Sequence, residues 1–285
     1  MKRLFSALCN RWEKAAQKFR RKREGARYVF VGPPGSGKTV YFACAIDQLQ
    51  RRAIDQDNET EVTHLNAQTL KICRQTISEM HKGKWPPKTQ DPQLLEFDLK
   101  SPRLRVGGKH ALGVRSDKLL CHDYPGEAFA AAFGDRREAH EAKFVKAGEQ
   151  LRSDLAIATG VFVLIDAEKF HDAADERFHV QLFDLFKFIE EEASAQRVAI
   201  IFSKMDLFKK RNDKGFLDRL KRDYPAAWNL QKRANAHFFF VASVRSHRVN
   251  KQGQIVPPDG YETSDSDGLL DPLVWMLNLK WLRSL

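Results

Sequence analysis

A three-layer α/β/α sandwich around a mainly parallel sheet of about six strands is the fold this sequence predicts, and three observations carry it. Short apolar runs with the length of buried strands alternate with longer amphipathic stretches along most of the chain. The first run enters a glycine-rich loop that opens into a helical pattern. The strongest runs, 160–167 and 198–202, have the length of buried strands, as central strands covered on both faces should.

The elements follow in order. A strand over 27–31 leads into the glycine loop and a helix over about 38–52. A second helix is expected over about 62–81, ahead of a Pro-rich turn at Trp85, Pro86 and Pro87. Strands are expected over 94–99 and 118–122, joined by a connection containing Gly107, Gly108 and Gly113. One long Ala-rich helical stretch reads from about 129 to 158, then a strand over 161–166, a helix over about 173–192 and a strand over 198–202. A polar helical region precedes a strand over 237–242, and an apolar helix over about 269–281 follows Asp265, Asp267 and Gly268. Carboxyl ends of parallel strands are where ligands bind in such sheets, so the loops after these strands are the ones to read for chemistry.

The chain has 285 residues, enough for one large core with an added arm but tight for two full domains. The expected division is an arm over 1–25 and one domain over 26–285, with a helical insertion over about 56–88. Hydrophobic residues make up 42% and charged residues 30%, as in ordinary soluble proteins. No apolar run has the length of a membrane span, and no signal-like apolar stretch opens the chain. Cys9, Cys44, Cys73 and Cys121 have no paired metal-ligand spacing and read as reduced thiols of a cytoplasmic protein. The net charge is +11, but residues 1–27 carry ten Lys or Arg against two Glu, leaving +3 for the rest. Basicity therefore belongs to the arm.

In that arm Leu4, Phe5, Leu8, Trp12, Ala15, Ala16 and Phe19 recur at helical spacing, with basic residues on other faces and the run Arg20, Arg21, Lys22, Arg23 at its end. A basic amphipathic helix of this kind suits a protein partner's groove, the chain's own domain, or an anionic membrane surface through residues 1–24. Nucleic acid ranks last, because the domain has no extended basic excess.

Three motifs carry the chemistry. Gly32-Pro33-Pro34-Gly35-Ser36-Gly37-Lys38-Thr39 fits G-x-x-x-x-G-K-S/T between a strand and a helix. Its backbone N–H groups and helix N-terminus suit phosphates, Lys38 the β- and γ-phosphates, and the Thr39 hydroxyl a Mg²⁺ ion. Asp123-Tyr124-Pro125-Gly126 at a strand end supplies a carboxylate for that ion and a Gly126 N–H for the γ-phosphate; elsewhere in a protein it would be an ordinary turn. Ser203-Lys204-Met205-Asp206 follows an apolar strand, where Asp206 can accept both N1–H and N2–H₂ of guanine and Lys204 can pack over the ring. Adenine offers no such donor pair. The competing readings are a P-loop ATPase or kinase, with this segment reduced to a helix cap.

In this order the motifs resemble those of P-loop GTPases of the translation-factor and Ras-like branch, over about residues 28–243. Ser203 stands where the branch has Asn or Thr, and Val241-Ala242-Ser243 resembles its fifth motif, implying a guanine contact at Ser243. The loop, the D-x-P-G-E stretch and the Trp-Pro-Pro turn are also similar to bacterial double-GTPase proteins, associated by gene neighbourhood with conflict or defence systems. The resemblance implies GTP and GDP as ligands, Mg²⁺ as cofactor, and a protein partner, either an activating protein or a second GTPase. It implies a switch threonine as well, and Thr89 is best placed for it because Thr69 and Thr76 fall in a helical pattern. Two departures stand out. Lys38 and Asp123 are 85 residues apart, about twice the expected spacing, and Glu127 occupies the place where many GTPases put a water-orienting Gln. A carboxylate there can orient water but repels the charge developing on phosphate, so slow hydrolysis is expected, with a scaffold that barely turns over as the alternative. His122 reads as a packed residue, Arg136 and Arg137 as a solvated pair that could also supply an arginine finger, and Asp166 as structural.

Overall fold

The computed structural model describes residues 26–55, 61–64, 66–102, 105–106, 110–111, 114–134, 141–172, 174–193, 196–208, 213–233, 235–244 and 247–277. The basic arm, Arg136 and Arg137 and the last eight residues lie outside that description. Strand β1 (Ala26–Val31) passes through the glycine loop into α1 (Lys38–Asp55). Next come β2 (Glu61–His64), α2 (Ala67–His81), β3 (Gln93–Pro102), the short pair β4 (Arg105–Val106) and β5 (His110–Ala111), and β6 (Val114–Asp123). Helices α3 (Gly126–Phe133) and α4 (Ala142–Ile157) precede β7 (Gly160–Asp166), α5 (Ala167–His171), α6 (Glu176–Glu192) and β8 (Arg197–Ser203). The chain then forms α7 (Asp213–Asp223), α8 (Pro225–Lys232), β9 (Ala236–Phe240), the hairpin β10 (Arg248–Val249) and β11 (Ile255–Val256), and α9 (Asp271–Leu277).

The main sheet has seven strands in the order β2-β3-β6-β1-β7-β8-β9. Strands β6, β1, β7, β8 and β9 pair in parallel, while β3 runs antiparallel to both β6 and β2. The expected α/β sandwich is thus present, with one more strand than the apolar runs suggested. Every residue of β7 is buried, as is β8 after Arg197, which is what the apolar runs 161–165 and 198–202 require of strands covered on both faces.

Alternation along these strands divides the core in two. Val29, Val161, Val163, Ile165 and Ile200 face one side with Phe129 of α3, Leu151 of α4 and Leu182 of α6. Phe30, Phe162, Leu164 and Ile201 face the other, against Phe42 and Ile46 of α1, Met80 of α2 and Leu273 of α9. Rings of Phe30 and Phe162 stack at 4.5 Å across the β1–β7 pair, fixing those strands side by side beneath the glycine loop.

Two local expectations are corrected. The segment expected to be helical from residue 62 begins as β2, where Val62 pairs with Leu99 and is buried. Stiff β-branched Val62 and Thr63 fit the sheet edge, and the helix starts only after Asn66, whose side chain accepts from Thr69 N at 2.7 Å. The stretch 129–158 is two helices, with α3 ending at Gly134. Among the described residues no helix is long and apolar enough to cross a membrane.

Candidate functional site

The register sets the site. Phe30 pairs with Asp123 and Asp166 with Ser203, so the glycine loop, the Asp123 turn and the Ser203 loop leave the sheet at neighbouring points of one edge. Together with residues from the Trp85–Thr89 segment they line a cavity of about 540 Å³. That volume lies in the range of small-molecule and cofactor sites.

The glycine loop is held closely. Gly37 sits at φ +81°, a conformation that L side chains rarely adopt. Lys38, nearly buried, donates from Nζ to the carbonyls of Gly32 (2.9 Å) and Pro33 (3.2 Å). Burial pulls its pKa down, and the Asp123 and Glu127 carboxylates oppose that pull. Gly126 abuts the same loop: a Cβ there would lie 2.4 Å from Pro34 Cα, so the turn after Asp123 can approach only as glycine. Glu127 follows in the first turn of α3, exposed on the cavity wall. Gly32, Gly35 and Ser36 complete the loop, and Ser36 Oγ is buried without a hydrogen-bond partner among the described residues.

Three oxygens meet beside it. Thr39 Oγ1 donates to Asp123 Oδ2 at 2.6 Å and shares a 2.8 Å bond with Thr89 Oγ1, which lies 3.5 Å from the same carboxylate oxygen. Asp123 Oδ1 is buried with no hydrogen-bond partner among the described residues. Burial raises the Asp123 pKa, against the opposing pull of Lys38 and the two threonine hydroxyls. Two hydroxyls and a carboxylate oxygen are hard-donor chemistry, and these residues fit a Mg²⁺ ion, which Thr39, Thr89 and Asp123 would hold. Among the described residues no cluster of three or more His, Cys, Asp or Glu could hold a metal.

At the other end Ser203, nearly buried, bonds from its hydroxyl to Ser36 O (2.9 Å) and Ile165 O (3.1 Å), joining the glycine loop to β7 and β8. A serine suffices in that position because the hydroxyl is what reaches the loop carbonyl. Lys204 is the non-glycine residue with positive φ among the described residues, at 61°, and its Nζ lies 2.5 Å from Asp166 Oδ2. Asp166 Oδ1 accepts from Glu168 N and Lys169 N, so this carboxylate caps α5 as well as holding Lys204. Asp206 lines the cavity, with His247 Nδ1 at 3.8 Å; burial raises its pKa, opposed by its own backbone, His247 and Lys204. Ser243 lines the same end, and its carbonyl accepts from Tyr261 OH at 2.6 Å.

Gly32 and Asp123 are bonded to the lining residues Lys38 and Thr39, Arg136 and Arg137 lie outside the described residues, and the other residues singled out in the sequence for binding or catalysis line one cavity. His122 does not: its Nδ1 turns to Asp154 of α4 at 3.0 Å. Buried Cys44 and Cys73 have thiols pushed up to about 12 by burial, and that of Cys121 is raised as well, so these three act as packing. Residues missed from sequence are Val40, Leu207, Val244, Trp85 and Ile255, all on the cavity wall. Val40 and Leu207 adjoin motifs and could have been found by extending them one residue. Ile255 had no signal beyond a short Gly-containing turn.

No curated protein matches the chain. Among solved structures, the GTPase-like domain of Ski7 from S. cerevisiae, bound to GDP and inorganic phosphate, is 16% identical with a TM-score of 0.43 and covers 88% of this chain and 49% of that one. The signal recognition particle receptor SRb-GTP/SRX complex from Chaetomium thermophilum gives 15% identity, a TM-score of 0.43, and coverage of 77% and 90%. The chain spans about half the length of the Ski7 chain it matches. The sequence model described as Double-GTPase 2 matches residues 29–257, from β1 to just past the β10–β11 hairpin, and the chain belongs to that family of P-loop GTPases.

Proposed function

We propose that this chain binds GTP and GDP with Mg²⁺, hydrolyses GTP slowly, and engages a protein partner according to which nucleotide it holds. The observation that carries the reading is the convergence of three chemistries on one cavity: the glycine loop, the Thr39–Thr89–Asp123 oxygen cluster and the Ser203–Asp206 loop. Backbone N–H groups of Gly35 to Thr39 and the Lys38 ammonium face phosphate charge. Thr39, Thr89 and Asp123 would hold the Mg²⁺, which when bound neutralises charge on the phosphate oxygens. Asp206 accepts the guanine donor pair, and Ser243 sits at the same end of the cavity.

For hydrolysis the local residues are Lys38, Thr89 and Glu127. Lys38 stabilises negative charge on the transferred group. Glu127 can accept a hydrogen bond from water, but its carboxylate also adds negative charge beside the phosphates and so limits the rate. This favours a switch that depends on a partner for fast turnover; the companion reading, a GTP-holding scaffold, rests on the same carboxylate. An activating protein or a second GTPase fits that need, in a cytoplasmic setting, with peripheral membrane contact through residues 1–24 and a bacterial defence role as part of the same proposal.

Competition binding with fluorescent GTP, GDP and ATP in Mg²⁺ tests the reading. Guanine preference that disappears in Asp206→Ala supports it. Preference for ATP, or no binding, would leave Ser203 to Asp206 as a helix cap. Phosphate release over many turnovers, with and without added partner, then separates switch from scaffold.

A further inference from the structure

Large apolar side chains that stay open to solvent beside a cavity call for an explanation. Trp85 and Ile255 are 44% and 43% exposed, and both line the nucleotide cavity. They are also joined: Trp85 Nε1 donates to the Ile255 carbonyl at 2.8 Å, across 170 residues of sequence. Ile255 belongs to the β10–β11 hairpin, which leaves the sheet edge just after Ser243. Its first strand is preceded by His247, which faces Asp206 at 3.8 Å. The hairpin therefore touches both the guanine-reading carboxylate and the segment that carries Thr89.

Its footing is firm on the α2 side. Gly260 N donates to His81 O at 2.8 Å, Asp259 bridges to Lys82, and Arg248 Nη2 pairs with Asp259 Oδ1 at 2.5 Å. Arg248 and Asp259 crowd Gly83, where a Cβ would meet each at 2.5 Å. The Trp85–Thr89 segment thus leaves a fixed point at α2, is fastened at Trp85, and reaches Thr39 through the Thr89 hydroxyl.

We infer that the β10–β11 hairpin is a clamp of the nucleotide site, with Trp85 and Ile255 forming its apolar wall against the purine nucleoside and the Trp85–Ile255 bond tying that wall to the Thr89 segment. The inference rests on the guanine-nucleotide reading of the cavity. It makes nucleotide release depend on parting the hairpin from Trp85. It also makes the guanine end and the γ-phosphate end of the site move together.

The test is release of fluorescent mant-GDP from the full chain in Mg²⁺, chased with unlabelled GDP. Trp85→Phe keeps an aromatic wall but loses the N–H, and is expected to speed release by about two- to tenfold, the worth of one net hydrogen bond. Ile255→Ser keeps the backbone carbonyl and removes the wall, and should speed release as well. Wild-type release rates in both variants would overturn the clamp. Hydrogen exchange over residues 85–90 in nucleotide-free protein probes the tether separately: Trp85→Phe should exchange faster, and an unchanged rate overturns the tether. If the wild-type chain retains no guanine nucleotide while that exchange difference is present, the functional reading fails and the tether stands.

Discussion

Removing the Thr89 hydroxyl is the sharpest single perturbation of this site, because Thr89 reaches it from a segment that is itself neither helix nor strand. In the nucleotide-free protein Thr89→Ala breaks the 2.8 Å bond with Thr39 Oγ1 and a long 3.5 Å contact with Asp123 Oδ2, in a half-buried setting. Such a bond is worth about 0.5–1.5 kcal/mol net, so the fold should survive with a small shift in melting temperature. With Mg²⁺ and GTP the same oxygen would face charged groups, where a contact is worth about 1.5–3 kcal/mol. At about 1.4 kcal/mol per factor of ten, GTP affinity should fall by about ten- to 150-fold. GDP lacks the γ-phosphate and should lose little, about threefold at most on the same scale. Thr89→Ser restores the oxygen and should restore most of the difference. Paired titrations of mant-GTP and mant-GDP at saturating Mg²⁺ read this directly. Equal losses for the two nucleotides, or none for either, would show that Thr89 merely orients Thr39 and that the switch residue lies elsewhere.

Three further outcomes follow from the geometry. Lys38→Ala should abolish retention of either nucleotide in a filter or fluorescence assay, since it removes the buried cation and leaves the Asp123 charge without its opposing neighbour. Asp206→Asn should move base preference from guanine towards xanthine. Burial raises the Asp206 pKa above its unfolded value, so the folded chain loses stability as pH rises through that window. The Asn variant should therefore melt no lower than wild type near neutral pH without nucleotide. GTP affinity of the wild type should weaken on acidification from above the ordinary carboxylate range, and the Asn variant should lack that pH dependence. Ser203→Ala should cost about 1–3 kcal/mol in denaturant titration, because it removes a buried donor from Ser36 O and Ile165 O, whereas Ser203→Thr should stay near wild type.

What could be read from the sequence was what local rules determine. Strand, glycine loop and helix over 26–55 follow from apolar runs and from Gly37, which tolerates a backbone angle few residues accept. The order of the sheet is different in kind: β3 inserts antiparallel beside β6, and β2 joins beyond it, through pairings that side-chain periodicity does not encode. A four-residue strand such as Glu61–His64 is too short to show alternation against the helical pattern that follows it. Asp166 could be dismissed as structural from its place at a strand end, and it does cap α5. Its second oxygen on Lys204 was invisible, because the contact depends on Lys204 adopting φ +61°.

The long separation between Lys38 and Asp123 also has a structural consequence. The 84 intervening residues do not push the Asp123 turn away from the loop, since β6 returns beside β1 with Asp123 against Phe30. They place α2 and β2 at one edge and return the chain to the cavity through the Trp85–Thr89 segment. A shorter connection would carry Thr89 directly from α1 to the sheet with nothing else to grip. Here the segment starts from α2, which is fastened to residues 259–261 at His81 and Lys82. Insertion and hairpin are therefore one device seen from two ends of the sequence. Loosening either should alter the hold on nucleotide at Thr89, although neither contains a residue of the three motifs.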